Sequence, residues 1–237
     1  QRWQKKRPLS KLLEIRDLQL VGPIMIDSKG LHLQNLKLSL SQSNLIANGG
    51  VDFKKGYNIR VDGNIDLADV RTLAETKIRG KGPLKARIHG PSSSVLVDFD
   101  LDLQEVEYVN LNLGGLRGNI RWDDGPSQLY FKDVKLLNDE SVYVGNGGLD
   151  LAKEGKIDLN FKLKKGDIGD LVGVFGNIVK DLWWFPESLT GRVVGGISVR
   201  GGLALKNLKI ETNLRGNEWD FFGENCMINE KFQREYK

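Results

Sequence analysis

Cysteine is almost missing from this chain. Cys226 stands alone, which rules out an intramolecular disulfide and any metal cluster built on several thiolates. Proline is scarce as well, at 6 of 237 residues, whereas glycine reaches 28, a balance that suits many short strands joined by tight turns. No apolar run approaches the roughly 20 residues that a membrane-crossing helix needs, and no signal-peptide core is present. Nor does one sign of charge dominate, with 35 Lys and Arg against 31 Asp and Glu for a net charge of +4. Part of that excess is the opening run Arg2, Lys5, Lys6 and Arg7, so neither a nucleic-acid footprint nor a strong membrane-charge signal follows. At 40% hydrophobic and 28% charged residues, the chain is neither a disordered tail nor a membrane bundle. It opens on Gln1 and reads as a mature fragment or a segment of a longer protein, with targeting information expected elsewhere.

Catalytic signatures are missing too. There is no Gly-x-Ser-x-Gly elbow, no HExxH and no Walker lysine, and Gly80-x-Gly82 and Gly114-Gly115-x-x-Gly118 lack the full spacing of a phosphate loop. His32 and His89 occupy strand positions with no second imidazole nearby and are read as solvated strand histidines. Asp98-x-Asp100-x-Asp102 has the look of a calcium loop. However, Leu103 stands where the turn glycine is needed and Val109 where the bidentate glutamate is needed. An enzyme is the least favoured class.

What is present is a repeat. Shifted by 98 residues, LHLQNLKLSLSQSNLIANGGVDF (31–53) lies on LYFKDVKLLNDESVYVGNGGLDL (129–151) without a gap. Lys37, Leu38, Ser43, Asn48, Gly49, Gly50 and Asp52 coincide with Lys135, Leu136, Ser141, Asn146, Gly147, Gly148 and Asp150. Apolar positions correspond as well, among them Leu33 with Phe131 and Leu36 with Val134. Downstream, Asp66-Leu67-Ala68-Asp69-Val70 resembles Asp167-Ile168-Gly169-Asp170-Leu171, and Ile78, Gly80, Ile88 and Gly90 match Leu189, Gly191, Val199 and Gly201. A unit of roughly 100 residues is therefore present about twice.

Within the unit the hydrophobic period is two. Val97, Phe99, Leu101 and Leu103 alternate with Asp98, Asp100, Asp102 and Gln104. Ile157, Leu159, Phe161 and Leu163 do the same, as do the shorter pairs Leu111 and Leu113, Ile120 and Trp122, Leu129 and Phe131, and Leu203 and Leu205. Such alternation predicts strands with one apolar and one solvated face. Asp123-Asp124-Gly125-Pro126, Pro91 to Ser94 and Lys153-Glu154-Gly155 read as turns, and Asn48-Gly49 and Asn146-Gly147 as hairpin dipeptides or glycine bulges. Two segments break the pattern. One runs from Asp66 to about Glu75 and the other is an amphipathic helix predicted over 166–185, ended by Pro186. Between the breaks there is room for five or six strands. Trp183-Trp184-Phe185 either inserts at a membrane interface or caps a strand block.

A block of one-faced strands followed by a crossover resembles the repeating-β-groove proteins, and among them the bacterial TamB and AsmA-like family. The resemblance is carried by NGGLDL (146–151), GDIGDLVGVFG (166–176) and the glycine cadence of Leu189, Gly191, Val193, Gly195, Ile197, Val199 and Gly201. It implies a mainly β, elongated and twisted antiparallel β-groove of repeated strand blocks with short helical crossovers. The blocks would be a basic start (1–11), a partial first repeat (12–80), a second repeat (81–188), the start of a third (189–216) and an unassigned tail (217–237). It further implies a periplasmic lipid conduit anchored in the inner membrane of a Gram-negative-type bacterium, with phospholipid as cargo and an Omp85-type, TamA-like barrel as partner. Neither a cofactor nor nucleic acid is implied. The groove would be lined by Val97, Phe99, Leu101, Leu103, Leu111, Leu113, Ile120, Trp122, Leu129, Phe131, Leu149, Leu151, Ile157, Leu159, Phe161, Leu163, Ile197, Val199, Leu203 and Leu205. Two other plans remain open. A structural or adhesive β-repeat would close its apolar faces on one another, and an outer-membrane barrel would turn apolar residues and aromatic girdles outward.

Overall fold

The computed structural model describes residues 13–15, 18–72, 78–108, 111–151, 155–170, 189–202, 207–221 and 224–226. In chain order the strands begin with β1 (Leu13–Ile15), β2 (Gln19–Val21), β3 (Ile24–Ile26), β4 (Gly30–Ser39), β5 (Asn44–Asp52), β6 (Gly56–Asp66), β7 (Val70–Thr72) and β8 (Ile78–Gly90). They continue with β9 (Leu96–Tyr108), β10 (Leu111–Asp123), β11 (Gln128–Asn138), β12 (Ser141–Asp150), β13 (Lys156–Asp167), β14 (Leu189–Gly202), β15 (Leu208–Phe221) and β16 (Glu224–Cys226).

A chain of one-faced strands with short connections satisfies its backbone most directly by pairing each strand with the next. The fold does this almost throughout. One antiparallel sheet of 14 strands runs from β2 and β3, which both pair with β4, to β16 at the far end. It stays open and does not close into a barrel. β7 leaves the sheet to pair with β1 in a separate two-stranded ribbon, so β8 pairs directly with β6. Aspartate side chains set several of the turns. Asp27 accepts from the Lys29 and Gly30 amides at 2.7 and 2.9 Å, and Asp52 accepts from those of Lys54 and Lys55 at 2.8 Å each.

Strict alternation fails at three interior points, and the failures preserve the apolar face. Asn35, Glu105 and Asp133 have φ of 49°, 53° and 50°, and each interrupts the ladder as a bulge. An extra residue would turn every later side chain to the wrong face. Instead two polar residues stand together in each strand, and Leu36, Val106 and Val134 resume the buried row. The Asn-Gly dipeptides lie inside β5 and β12, not in hairpin turns, which corrects the hairpin reading of both. Asn48 accepts a hydrogen bond from the Asn35 amide and Asn146 from the Asp133 amide, each at 2.8 Å. The repeated asparagine therefore closes the bulge of the preceding strand. The glycine after it has φ of 115° at Gly49 and 146° at Gly147, and a Cβ there would lie 2.1 Å from the carbonyl oxygen of Asn58 or Asp158.

The two crossovers share an anchor. Between β6 and β7, Leu67–Asp69 form a 3-10 turn. Ser43 is fully buried, takes the Asp66 amide at 2.8 Å and donates its hydroxyl to Asp69 at 2.7 Å. In the second copy, Ser141 is also fully buried, takes the Asp167 amide at 3.0 Å and donates to Asp170 at 2.6 Å. Asp66 and Asp167 themselves accept from the amides of Ala68 and Gly169 at 2.8 and 2.7 Å, opening each crossover turn. Gly166 and Asp167 are strand residues of β13, and helical backbone starts only at Ile168, which shortens the helix predicted from 166. Its remainder from 171, with Trp183, Trp184 and Phe185, lies outside the described residues. Between the crossovers stand six strands, β8 to β13. Antiparallel succession through that even number returns both crossovers to the same end of the sheet.

Candidate functional site

Register carries the alternation of single strands across the whole sheet. One transverse row links Leu33, Gly49, Ile59, Ile88, Val97, Trp122, Leu129, Leu149, Ile157, Gly201 and Leu208, each partnered with the next. The next links Leu36, Ala47, Val61, Ala86, Phe99, Ile120, Phe131, Gly147, Leu159, Val199 and Ile210. Leu38, Leu45, Gly63, Leu84, Leu101 and Gly118 begin a third, which resumes past the Asp133 bulge as Val134, Gly145, Phe161 and Ile197. Leu103, Leu116, Leu136, Tyr143, Leu163, Gly195 and Leu214 form a fourth toward the crossover end. No charged side chain interrupts any of these rows.

The rows differ in how well they are covered. In the second, Val61, Ala86, Phe99, Ile120, Phe131, Leu159 and Val199 are only half-buried, although their neighbours on both sides are apolar. Leu36 and Ala47 in that row are buried, as are Leu84 and Val134 in the third, and two clusters of buried residues lie nearer the ends. Val95, Val97 and Trp122 cluster beside Tyr57, Ile88, Phe99, Leu129 and Leu151 at the turn end, and Tyr143, Leu163, Ile168, Val193 and Ile197 cluster near the second crossover. Members of each cluster come from successive strands, and Ile168 adds the first residue of the crossover. Among the described residues, the extensive contacts between elements join hydrogen-bonded neighbours or pack the 3-10 turn on β7 and β8. A second sheet laid over this face would bury its central row; here most of that row stays partly exposed. Gly145 lies under the ring of Phe161, where a Cβ would meet the ring carbons at 2.3 Å, so the aromatic side chain covers a glycine in the next strand.

The opposite face is laced by cross-strand ion pairs and hydrogen bonds. Asp98 receives Arg121 at 2.6 Å and His89 at 2.8 Å, Asp102 receives Arg117 at 2.7 Å, and Lys81 meets Glu105 at 2.8 Å. Hydrogen bonding from Arg121, with a further bond from His89, holds the Asp98 carboxyl below the usual aspartate range. The Asp98-x-Asp100-x-Asp102 triplet thus belongs to a solvated ladder of opposite charges. No group of three or more metal-ligating side chains occurs among the described residues.

Of the expected lining residues, Val97, Phe99, Leu101, Leu103, Ile120, Trp122, Leu129, Phe131, Leu149, Ile157, Leu159, Phe161, Leu163, Ile197 and Val199 fall on the four rows. Leu151 packs at the turn-end cluster. β10 passes through two register shifts between Asn112 and Leu116, so alternation alone does not place Leu111 and Leu113; Leu113 is half-buried. Leu203 and Leu205 lie outside the described residues. Sequence reasoning missed Ile59, Val61, Ile88, Leu116, Leu136 and Tyr143, which reach the face through register. The tail from 217 is not wholly separate, because β15 runs to Phe221 and pairs with β16 through Cys226. Compared with known proteins, the chain matches no family model, no curated protein and no solved structure.

Proposed function

We propose that this chain is a lipid-conduit segment whose apolar sheet face holds the acyl chains of phospholipids. The observation that carries the reading is that two apolar rows run unbroken from β4 to β15, flanked by two shorter ones, with a largely half-buried central row and no opposing sheet among the described residues. An apolar face of this extent in water calls for a cover. Burying a methylene contributes about 0.8 kcal/mol, so an acyl chain of ~16 carbons gains on the order of 12 kcal/mol, similar to what a bilayer gives it. Exchange between groove and membrane then runs near balance, and successive equivalent repeats offer a nearly level path. Headgroups stay at the rim of the groove.

The resemblance to TamB and AsmA-like proteins points the same way and extends the proposal to its setting. There the segment would sit in the periplasm, bridging toward an Omp85-type barrel and serving lipid transport or outer-membrane assembly. The test is lipid loading. Protein purified from a bacterial host is expected to carry phospholipid, and Phe99→Asp, at the centre of the second row, is expected to cut the bound lipid several-fold with an unchanged circular-dichroism spectrum. Phe99 is the cleaner probe than Phe161, whose ring also covers Gly145. Equal loading of Phe99→Asp and wild type would refute the reading.

A further inference from the structure

We infer that the turn end of the groove, beside Trp122 and Asp124, is a headgroup subsite for a phospholipid whose polar end carries an ammonium N–H donor next to an ester or phosphate acceptor. The inference rests on the groove reading above and adds which end of the strands receives the headgroup and what that headgroup must contain. Trp122 lies on the apolar face, in register between Val97 and Leu129, and is only 4% exposed. Its indole Nε1 is buried without a hydrogen-bond partner. Two residues on, the Asp124 amide donates to the Val95 carbonyl at 3.0 Å. That bond extends the β9–β10 ladder by one rung beyond the pairing of Asp123 with Leu96, so Asp124 stands opposite Val95. Val95 belongs to the same buried cluster as Trp122, which puts Asp124 on the apolar side at the rim. One of its carboxylate oxygens, Oδ1, is also buried without a partner.

A donor and an acceptor two residues apart on one face of the strand end are therefore withheld from water, where the apolar rows give way to the turns. Buried polar groups are almost always paired, and an unpaired pair of opposite kind calls for a ligand of complementary kind. Hydrocarbon satisfies neither atom. A purely anionic headgroup would satisfy the indole and be repelled by the carboxylate. An ammonium group answers Asp124 with a charge-assisted bond, and the ester or phosphate oxygen beside it accepts from the Trp122 N–H. Seating it requires the flanking Leu129 and Leu151 side chains, which are partly buried, to part.

The choline headgroup is the natural control, because it keeps the phosphate, the esters and the positive charge but has no N–H. The full chain is incubated with vesicles of equal parts phosphatidylethanolamine and phosphatidylcholine bearing the same acyl chains, then reisolated and its lipids quantified by mass spectrometry. Wild type is expected to take up ethanolamine lipid about fivefold or more over choline lipid. Asp124→Asn is expected to bring that ratio close to one while total loading stays within twofold, and Trp122→Phe to lower loading of both lipids. An unchanged circular-dichroism spectrum reports that each variant is folded. A wild-type ratio of one with lipid bound overturns the subsite and leaves the groove reading standing; no bound lipid of either kind overturns both.

Discussion

Three tetrapeptides decide whether the apolar face survives along its strands. Leu33-Gln34-Asn35-Leu36, Leu103-Gln104-Glu105-Val106 and Phe131-Lys132-Asp133-Val134 each place two polar residues between apolar ones, and each second polar residue takes positive φ. Period-two reading sees an error there, whereas the bulge absorbs the extra residue. Removing the Asn146 side chain by Asn146→Ala leaves the Asp133 amide to water and should cost about 1 kcal/mol in urea unfolding. Gly147→Ala should cost more, with strain of about 1–3 kcal/mol from its φ of 146° and further loss from the close Asp158 carbonyl. The ranking of the two variants is the check. On the polar face, Asp98 is held below the usual aspartate range by Arg121. A depressed carboxylate contributes stability above its unfolded value near pH 4, and that contribution is lost as the pH falls through the folded value. Both partners are substantially exposed, so the pair contributes only about 0.2–1 kcal/mol. The melting temperature of wild type should therefore fall slightly more than that of Asp98→Asn on acidification from pH 6 to 3. The outward aspartates of β9 were visible in the alternation, but which carboxylate meets which cation required the register.

At the scale of elements, the crossovers are tied down by polar groups far apart in sequence. Ser141 meets Asp167 and Asp170 at separations of 26 and 29 residues, and Ser43 meets Asp66 and Asp69 at 23 and 26. The matched serines and aspartates were visible as repeated letters between the two copies. Their partnership was not, because a strand-turn serine and a crossover aspartate become neighbours only once β11, β12 and β13 pair. Ser141→Ala removes a fully buried hydroxyl and leaves an amide and a carboxylate without their partner, which should cost about 1–3 kcal/mol. Amide hydrogen exchange should show the loss of protection concentrated at 167–170 before the centre of β13 is affected; uniform loss across the sheet would mean that Ser141 does not act through the crossover. The helix boundary illustrates the same limit. Apolar spacing from Ile168 onward signals a helix, yet Asp167 and Gly166 are drawn into β13 by pairing with Arg192 and Val193.

For the molecule as a whole, the mainly β character and the polarity of single strands were legible from alternation, whereas the open antiparallel groove, which the fold bears out, was expected from the resemblance of the repeat and not from alternation. Whether each apolar face meets another sheet depends on how strands are ordered, and a repeat in sequence fits a closed sandwich as well as an open one. Order settles it: succession from β2 to β16 places Leu33 and Leu208 ten positions apart on one row instead of face to face. The β2–β3 edge is broken by Gly22 and Pro23, which shortens the ladder it offers to other chains. Central to the proposed function is that lipid fills the face between the edges. Native mass spectrometry of the purified chain, recorded before and after organic extraction and paired with analysis of the extract, tests this most directly. The account predicts adducts of phospholipid mass that disappear on extraction and return on incubation with vesicles. A single lipid-free mass in every condition would contradict it.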